Sequence, residues 1–331
     1  VLGHDKMREP FHAIKRRIKL SLKRMLFGIS WIARRLFHVH IVPVHYYSPV
    51  ADPIELQKSR NRWARPSRMH GIDVDLDQQA ESLRLICLPF QKEYQGNETY
   101  RQAVSRGFGP GYGYIEAQAL HGVIRYLQPR RVIEVGSGTS TYCTREAARR
   151  NEAEGGARTE ITAIEPFPSA PLRAMEEVRV IRSKVQETGV ETFDCLREKD
   201  VLFIDSSHAV KPGGDVNFLI LEVLPRLREG VVVHFHDIYF PYDYSRVLLK
   251  SFFPGTESSL LQAFLIFNKR FKILFCLSQL HYGRPEVLAE VFPEYRPQGG
   301  KDGLVEDRLA PFETPAGHFP SSIYLQVQPG Q

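Results

Sequence analysis

From residue 130 onward the chain alternates short apolar runs with segments of helical spacing, and few folds accommodate that pattern. "RRVIEVG", "EITAIEP", "VRVIRS", "DVLFIDSS" and "VVVHFHD" read as five strands in order. "STYCTREAARRNEA" and "DVNFLILEVLPRLREG", the latter ending on Gly230, read as helices between them. Short, nearly continuous apolar strands that alternate with helices imply βαβ units and a largely parallel sheet covered on both faces. Helical stretches are expected around 245–252 and 259–268. Two further strands, "FKILFCL" and "SSIYLQVQP", flank a Pro- and Gly-rich insertion at 278–320.

The region before this alternation is of a different kind. Residues 1–40 carry ten Lys and Arg against Asp5 and Glu9, a balance of +8, whereas the whole chain is only +6, so the remaining 291 residues sum to −2. A nucleic-acid grip through the main body, which would need a basic face there, is not expected. Within this basic stretch Phe11, Ile14, Ile18, Leu22, Met25, Ile29, Ile32 and Leu36 recur at spacings of three and four. That is an amphipathic helix, whose apolar face suits an anionic membrane surface through residues 9–37. It suits docking on the chain's own body, or on a second subunit in a homo-oligomer, equally well. Residues 41–110 form a leader or cap: "HYYSPVADPIEL" reads as a turn into a short helix, "LDQQAESLRLICLPFQKEY" as a further helix, and "GFGPGYGY" as a Gly-rich aromatic loop at 107–114. The third expected region runs from 111 to 331. The four cysteines, Cys87, Cys143, Cys195 and Cys276, lie far apart, form no C-x-x-C pair and fit a reducing, cytoplasmic compartment. The longest early apolar run, "MLFGISWIA", is well short of the ~20 residues that span a bilayer, and no secretory signal is recognised.

In open parallel sheets ligands sit beyond the C-terminal strand ends. The first strand–helix turn is "EVGSGTST", where Gly136 and Gly138 permit a tight turn and close approach of a ligand, and where Thr139 or Ser140 can cap the next helix. The second strand ends in Glu165, placed to accept from both hydroxyls of a ribose. Thr141 stands where a dinucleotide fingerprint has its third glycine, which weakens a pyrophosphate reading and disfavours an NAD(P)-dependent oxidoreductase. "VIEVGSGTST" together with Glu165 resembles the class I S-adenosylmethionine-dependent methyltransferases, and the likeness extends over roughly 110–329. It implies a Rossmann-like seven-stranded, mostly parallel sheet with helices on both faces and an antiparallel last hairpin. "HYYSP", "DSSHAVKPGGDVNFLILEVLPRL" and "HFHDIYFPYDY" are similar to a bacterial group within that class. By resemblance, Glu134, Gly136 and Gly138 would hold the methionine end of S-adenosyl-L-methionine, Glu165 its ribose, Val185 with Gln186 would lie near its adenine, and Ser137 would be a further cofactor-binding residue.

The fourth strand ends in Asp205, with His208 three residues on, and the fifth in His236 and Asp237. Neighbouring parallel strands would bring these ends to one cleft. Methyl transfer to a hydroxyl requires the oxygen to lose its proton as it attacks. A nearby imidazole can accept that proton, and a divalent cation such as Mg²⁺ can acidify the hydroxyl. The catechol-type and macrolide-sugar O-methyltransferases, which use such a metal, resemble this layout. The likeness implies Asp205, Asp237 and His236 as ligands and His208 as proton acceptor, with Asp205 and His236 also in the reaction. Ile238 stands where the catechol type has a second ligand, usually Asn, which leaves His236 to supply the missing group. His234, deeper on the same strand, is expected to be a hydrogen-bonded core residue. Tyr239, Tyr242 and Tyr244 would wall a pocket for a small-molecule or glycan-type acceptor. The place where base-flipping amino methyltransferases carry an Asn/Asp-Pro-Pro-aromatic motif reads "DSSH" instead. A cofactor-binding accessory protein, held at a membrane assembly by its basic helix, is the non-enzymatic alternative.

Overall fold

The apolar runs become strands β1 (Arg131–Val135), β2 (Glu160–Ile164), β3 (Val178–Ile181), β4 (Val201–Ile204), β5 (Val232–Phe235), β6 (Phe271–Cys276) and β7 (Ile323–Val327). In this computed structural model, which describes residues 8–48, 50–109, 111–253 and 255–330 and side chains from residue 14 onward, they form one sheet in the order β3-β2-β1-β4-β5-β7-β6. The first five are parallel; β7 is antiparallel to both β5 and β6. Chain order reverses between β1 and β4, so a crevice opens beyond their C-terminal ends, where such sheets bind ligands. Phe203 of β4 lies opposite His234 of β5, which brings the residues after each strand, Asp205 and His236, side by side.

Both faces of the sheet are buried. One is covered by Leu83 of the helix Leu76–Cys87, Ile124 of the helix Tyr114–Leu127 and Ala147 of the helix Thr139–Ala153. The other is covered by Leu219, Ile220 and Val223 and by Leu261 and Leu265. Each fully buried aliphatic side chain contributes about 2 kcal/mol, which favours the wholly buried central strands β4 and β5, whereas the outer β3 and β6 expose Arg179 and Lys272.

Several segments depart from the expectation. The helix after β4 is regular only over Asp215–Phe218; it widens by a residue per turn over Leu219–Val223 and tightens over Leu224–Arg226, so it stops short of Gly230. Pro225 has no N–H to give and crowds the preceding turn, which accounts for the break. Residues 245–252 form turns rather than a helix, and the Ser245 hydroxyl bonds the Phe253 carbonyl (2.8 Å) in place of a helical ladder. The helix expected at 259–268 runs Glu257–Leu265, and the insertion opens with two short helices, Leu277–Gly283 and Pro285–Val291.

The chain divides into two compact units between Arg60 and Asn61. In the first, Arg8–Phe37 is one helix; the part of the expected basic helix at residues 1–7 lies outside the described residues. Among the described residues no helix is long and apolar enough to cross a membrane.

His234 is fully buried, as expected for a core residue, but hydrogen bonds do not hold it. Its ring stacks on Tyr324 (centroids 4.1 Å apart) and Phe203 (4.3 Å), and neither ring nitrogen has a partner. Burial holds it neutral, well below the usual imidazole range. Two unsatisfied nitrogens in a dry stack are a net cost, so His234→Phe is expected to stabilise the protein by about 1 kcal/mol in urea unfolding. A loss of similar size would mean that the imidazole has a partner.

Candidate active site

The turn after β1 is shaped by close approach. Gly136 has φ +84°, and a Cβ on it would lie 2.1 Å from the Asp205 carbonyl oxygen, so no other residue fits. The capping differs from expectation: Thr141 takes the hydroxyl role, accepting from the Gly138 N–H (3.1 Å). Thr139 instead bonds the Gly109 carbonyl, and Ser140 bonds Glu134. The residue that breaks the glycine fingerprint is therefore the one that satisfies the buried backbone donor at the start of the helix.

A cavity of about 500 Å³ lies beyond the ends of β1, β2 and β4, lined among others by Gly136, Glu165, Phe167, Val185, Gln186 and Asp205. Glu165 accepts from the Phe167 N–H (2.7 Å) and, at the limit of bonding distance, from the Ser137 hydroxyl (3.4 Å), which leaves lone pairs directed to the cavity. Gln186 donates to the Gly213 carbonyl (3.2 Å), while its Oε1, like the hydroxyl of Ser206 beside it, is buried without a partner. These orphaned polar atoms on a nucleoside-sized cavity fit an adenosine group. Glu134 does not line the cavity. It is fully buried behind the turn, where burial lifts its carboxyl to about 8, so it braces the turn against the helix.

The second half of the crevice is a cluster of charges. The His208 ring spans two carboxylates, Nδ1 to Glu257 Oε2 at 2.8 Å and Nε2 to Asp205 Oδ1 at 3.1 Å, with Asp237 Oδ2 at 3.7 Å from Nε2. His236 Nδ1 reaches the same Asp205 oxygen at 3.3 Å, and its Nε2 faces Glu116 at 3.8 Å. The Ser321 hydroxyl donates to Asp237 (3.0 Å), and its N–H to Glu116 (2.9 Å). The Tyr112 ring lies against His236, centroids 4.9 Å apart. His208 and Asp237 both have left-handed backbones, φ +54° and +56°, an arrangement that recurs where function dictates side-chain direction.

Electrostatics follow from this geometry. Burial opposes charge on His208, but the hydrogen bonds it donates to Asp205 and Glu257 outweigh it and raise the ring to about 11. Burial likewise opposes charge on His236, and Asp205 with Asp237 raises it to about 9. Burial would raise Asp205, yet the charge of His236 and the two imidazole bonds hold it well below the usual carboxylate range. Glu116 and Glu257 are raised by burial.

The structure thus brings together the four residues expected at the reaction end, Asp205, His208, His236 and Asp237. The metal expectation finds no support in their arrangement. An imidazole nitrogen occupies the space between Asp205 and Asp237, and among the described residues no group of three or more His, Cys, Asp or Glu is disposed to hold a metal ion. Of the three tyrosines, Tyr239 lies over the cluster, whereas Tyr242 and Tyr244 pack with Leu304 in a separate apolar group. Glu116 and Glu257 escaped the sequence reading. The available signal was an acid in the first turn of each of two otherwise apolar helices, "YIEAQAL" and "TESSLLQAFL".

Residues 133–238 match the family model of a methyltransferase domain. An uncharacterized protein of Archaeoglobus fulgidus is 25% identical over 198 residues, 57% of this chain and 86% of its own length. Among solved structures, the S-adenosylhomocysteine-bound methyltransferase PaMTH1 of Podospora anserina is similar at 16% identity with a TM-score of 0.34, covering 71% of this chain and 93% of that one. The plantazolicin methyltransferase BamL follows at 10% and 0.37, covering 78% and 100%. Likenesses this distant carry no weight of their own. Residues 133–238 thus form a methyltransferase domain set in the seven-stranded sheet.

Ring-nitrogen NMR should find His236 still doubly protonated at pH 8 and His234 still neutral below the usual imidazole range, because the first sits between carboxylates and the second in an aromatic stack. Ordinary titration of His236 near its unperturbed value, about 6.5, would contradict the cluster.

Proposed function

We propose that the protein methylates a hydroxyl group of a small or sugar-like acceptor, with His208 as proton acceptor. The observation that carries the reading is the Glu257–His208–Asp205 line. A fully buried carboxylate fixes Nδ1 and thereby aims Nε2 at the crevice. An imidazole oriented by a buried acid is the arrangement that general-base catalysis at oxygen requires. When bound, S-adenosylmethionine supplies a methyl group on a positively charged sulfur. Gly136 and Gly138 allow backbone approach to it, Ser137 and Glu165 serve its ribose, and Val185 and Gln186 its base. Glu134 acts indirectly, by keeping the turn in place. Asp205 and Asp237 give the crevice negative charge that suits the sulfonium.

The raised value of His208 has a mechanistic consequence. In the free protein the ring is an imidazolium at neutral pH and cannot accept a proton. A cation held beside Asp205 would compete for that carboxylate and repel the imidazolium, so His208 would give up its Nε2 proton to solvent when a positively charged methyl donor is bound. The ring is then ready for the acceptor's hydroxyl. His236, shielded between Asp205 and Glu116, keeps its charge and holds Asp205 in position.

Calorimetry in buffers of different ionisation enthalpy tests this directly. Binding of S-adenosylmethionine should release about one proton near neutral pH, and binding of the neutral product S-adenosylhomocysteine should release much less. Equal release by both, or tight binding of NAD(P) alone, would contradict the reading. His208→Ala should lower kcat about a hundredfold or more and abolish the proton release that accompanies donor binding. Glu257→Gln removes a carboxylate that raises His208, so the limb of the pH–rate profile over which the rate rises with pH should move to lower pH. Exhaustive chelation should leave turnover unchanged; loss of turnover restored by a divalent cation would replace the imidazole route with a metal route.

A further inference from the structure

The first compact unit carries a surface that the methyltransferase crevice does not use. Along the helix Arg8–Phe37, the side chains of Ile14, Ile18, Leu22, Met25, Ile29 and Leu36 form one seam, and all are exposed, Met25 by 59% and Leu36 by 65%. At 1.5 Å per residue the seam is about 33 Å long. Six large apolar side chains in line are more than the scattered surface residues of an ordinary soluble helix.

The charge around the seam specifies what covers it. From residue 10 to residue 51 the chain contains no Asp or Glu, while the helix carries Lys15, Arg16, Arg17, Lys19, Lys23, Arg24, Arg34 and Arg35. A helix meant to dock on a protein surface or on a second copy of itself ordinarily mixes signs around its seam, because like charges brought together repel. Eight cations without an acid among them would oppose self-association. They are matched instead by a surface that is uniformly negative and apolar just beneath, which describes anionic phospholipid headgroups over acyl chains. Trp31, which carries the Arg35 guanidinium over its ring at 5.4 Å, adds a side chain suited to the interface between water and lipid. The following segment continues the character: Tyr46 and Tyr47 are almost fully exposed.

We propose that residues 14–47 are a membrane-surface anchor that lies in the headgroup plane of an anionic bilayer. The seam is buried in the lipid and the cations lie at the phosphates, so the methyltransferase works on acceptors at or near that surface. The anchor stands independently of the acceptor chemistry proposed above.

Flotation of the full chain with vesicles tests it. Vesicles of phosphatidylcholine with ~30% phosphatidylglycerol should bind the protein at least about tenfold more tightly than phosphatidylcholine alone, and moderate salt should weaken the binding. Ile18→Asp with Ile29→Asp should abolish binding to anionic vesicles while calorimetric donor affinity is unchanged, which confirms that the variant is folded. Charge reversal at Lys23 and Arg24 should weaken binding at least about tenfold. The proposal is overturned by equal binding to both vesicle types or by no binding to either. It is overturned too by retention of binding after the two apolar substitutions. Lipid-free dimerisation that those substitutions abolish would assign the seam to a second copy instead.

Discussion

A single carboxylate at the end of β4 organises the crevice. Asp205 accepts from two imidazoles, His208 at 3.1 Å and His236 at 3.3 Å, and its carbonyl oxygen leaves no room for a side chain at residue 136. The first contact sets the proton chemistry and the second sets the turn beside the cofactor cavity. Both follow from the pairing of β4 with β1 on one side and β5 on the other, which places the three loop starts within one crevice. The functional chemistry is therefore a consequence of sheet order, with Asp205 at its centre.

Around that carboxylate the protein balances charge closely. Four acids, Asp205, Asp237, Glu116 and Glu257, surround two imidazoles at distances of 2.8–3.9 Å. Buried charges are tolerated only when paired, and removal of one partner exposes the other to the full desolvation cost. The pairing makes the free crevice tightly held and the protons in it responsive to any incoming cation. A methyl donor with a permanent positive charge is such a cation, and its neutral product is not. On the proposed function, the same electrostatics would favour entry of the donor and release of the product.

Much of this was legible in the residues. The strands were readable because each is a short apolar run, with Gly136, Glu165 and Asp205 directly closing β1, β2 and β4, and the crevice residues because they follow such runs. What escaped depended on contacts between distant segments. Glu257 lies 49 positions from His208, and nothing local distinguishes it from an ordinary first-turn acid until the fold brings it to Nδ1. His234 was readable as core, but its partners proved to be the faces of Phe203 and Tyr324, one on the preceding strand and one on the last. The metal expectation rested on residue types, and side-chain direction lends it no support: His208 points into the gap between Asp205 and Asp237. Residues 245–252 have helical spacing, yet a side-chain bond from Ser245 competes with the helix there.

The most direct measurement is a crystal structure of the protein with S-adenosylhomocysteine. The account predicts the ribose hydroxyls on Glu165, the thioether sulfur on the Asp205 side of the crevice, and His208 still held by Glu257 with Nε2 facing the sulfur across the acceptor's place. A nucleoside bound away from Glu165, or a His208 ring turned out of reach of both Glu257 and the sulfur's side of the crevice, would contradict it.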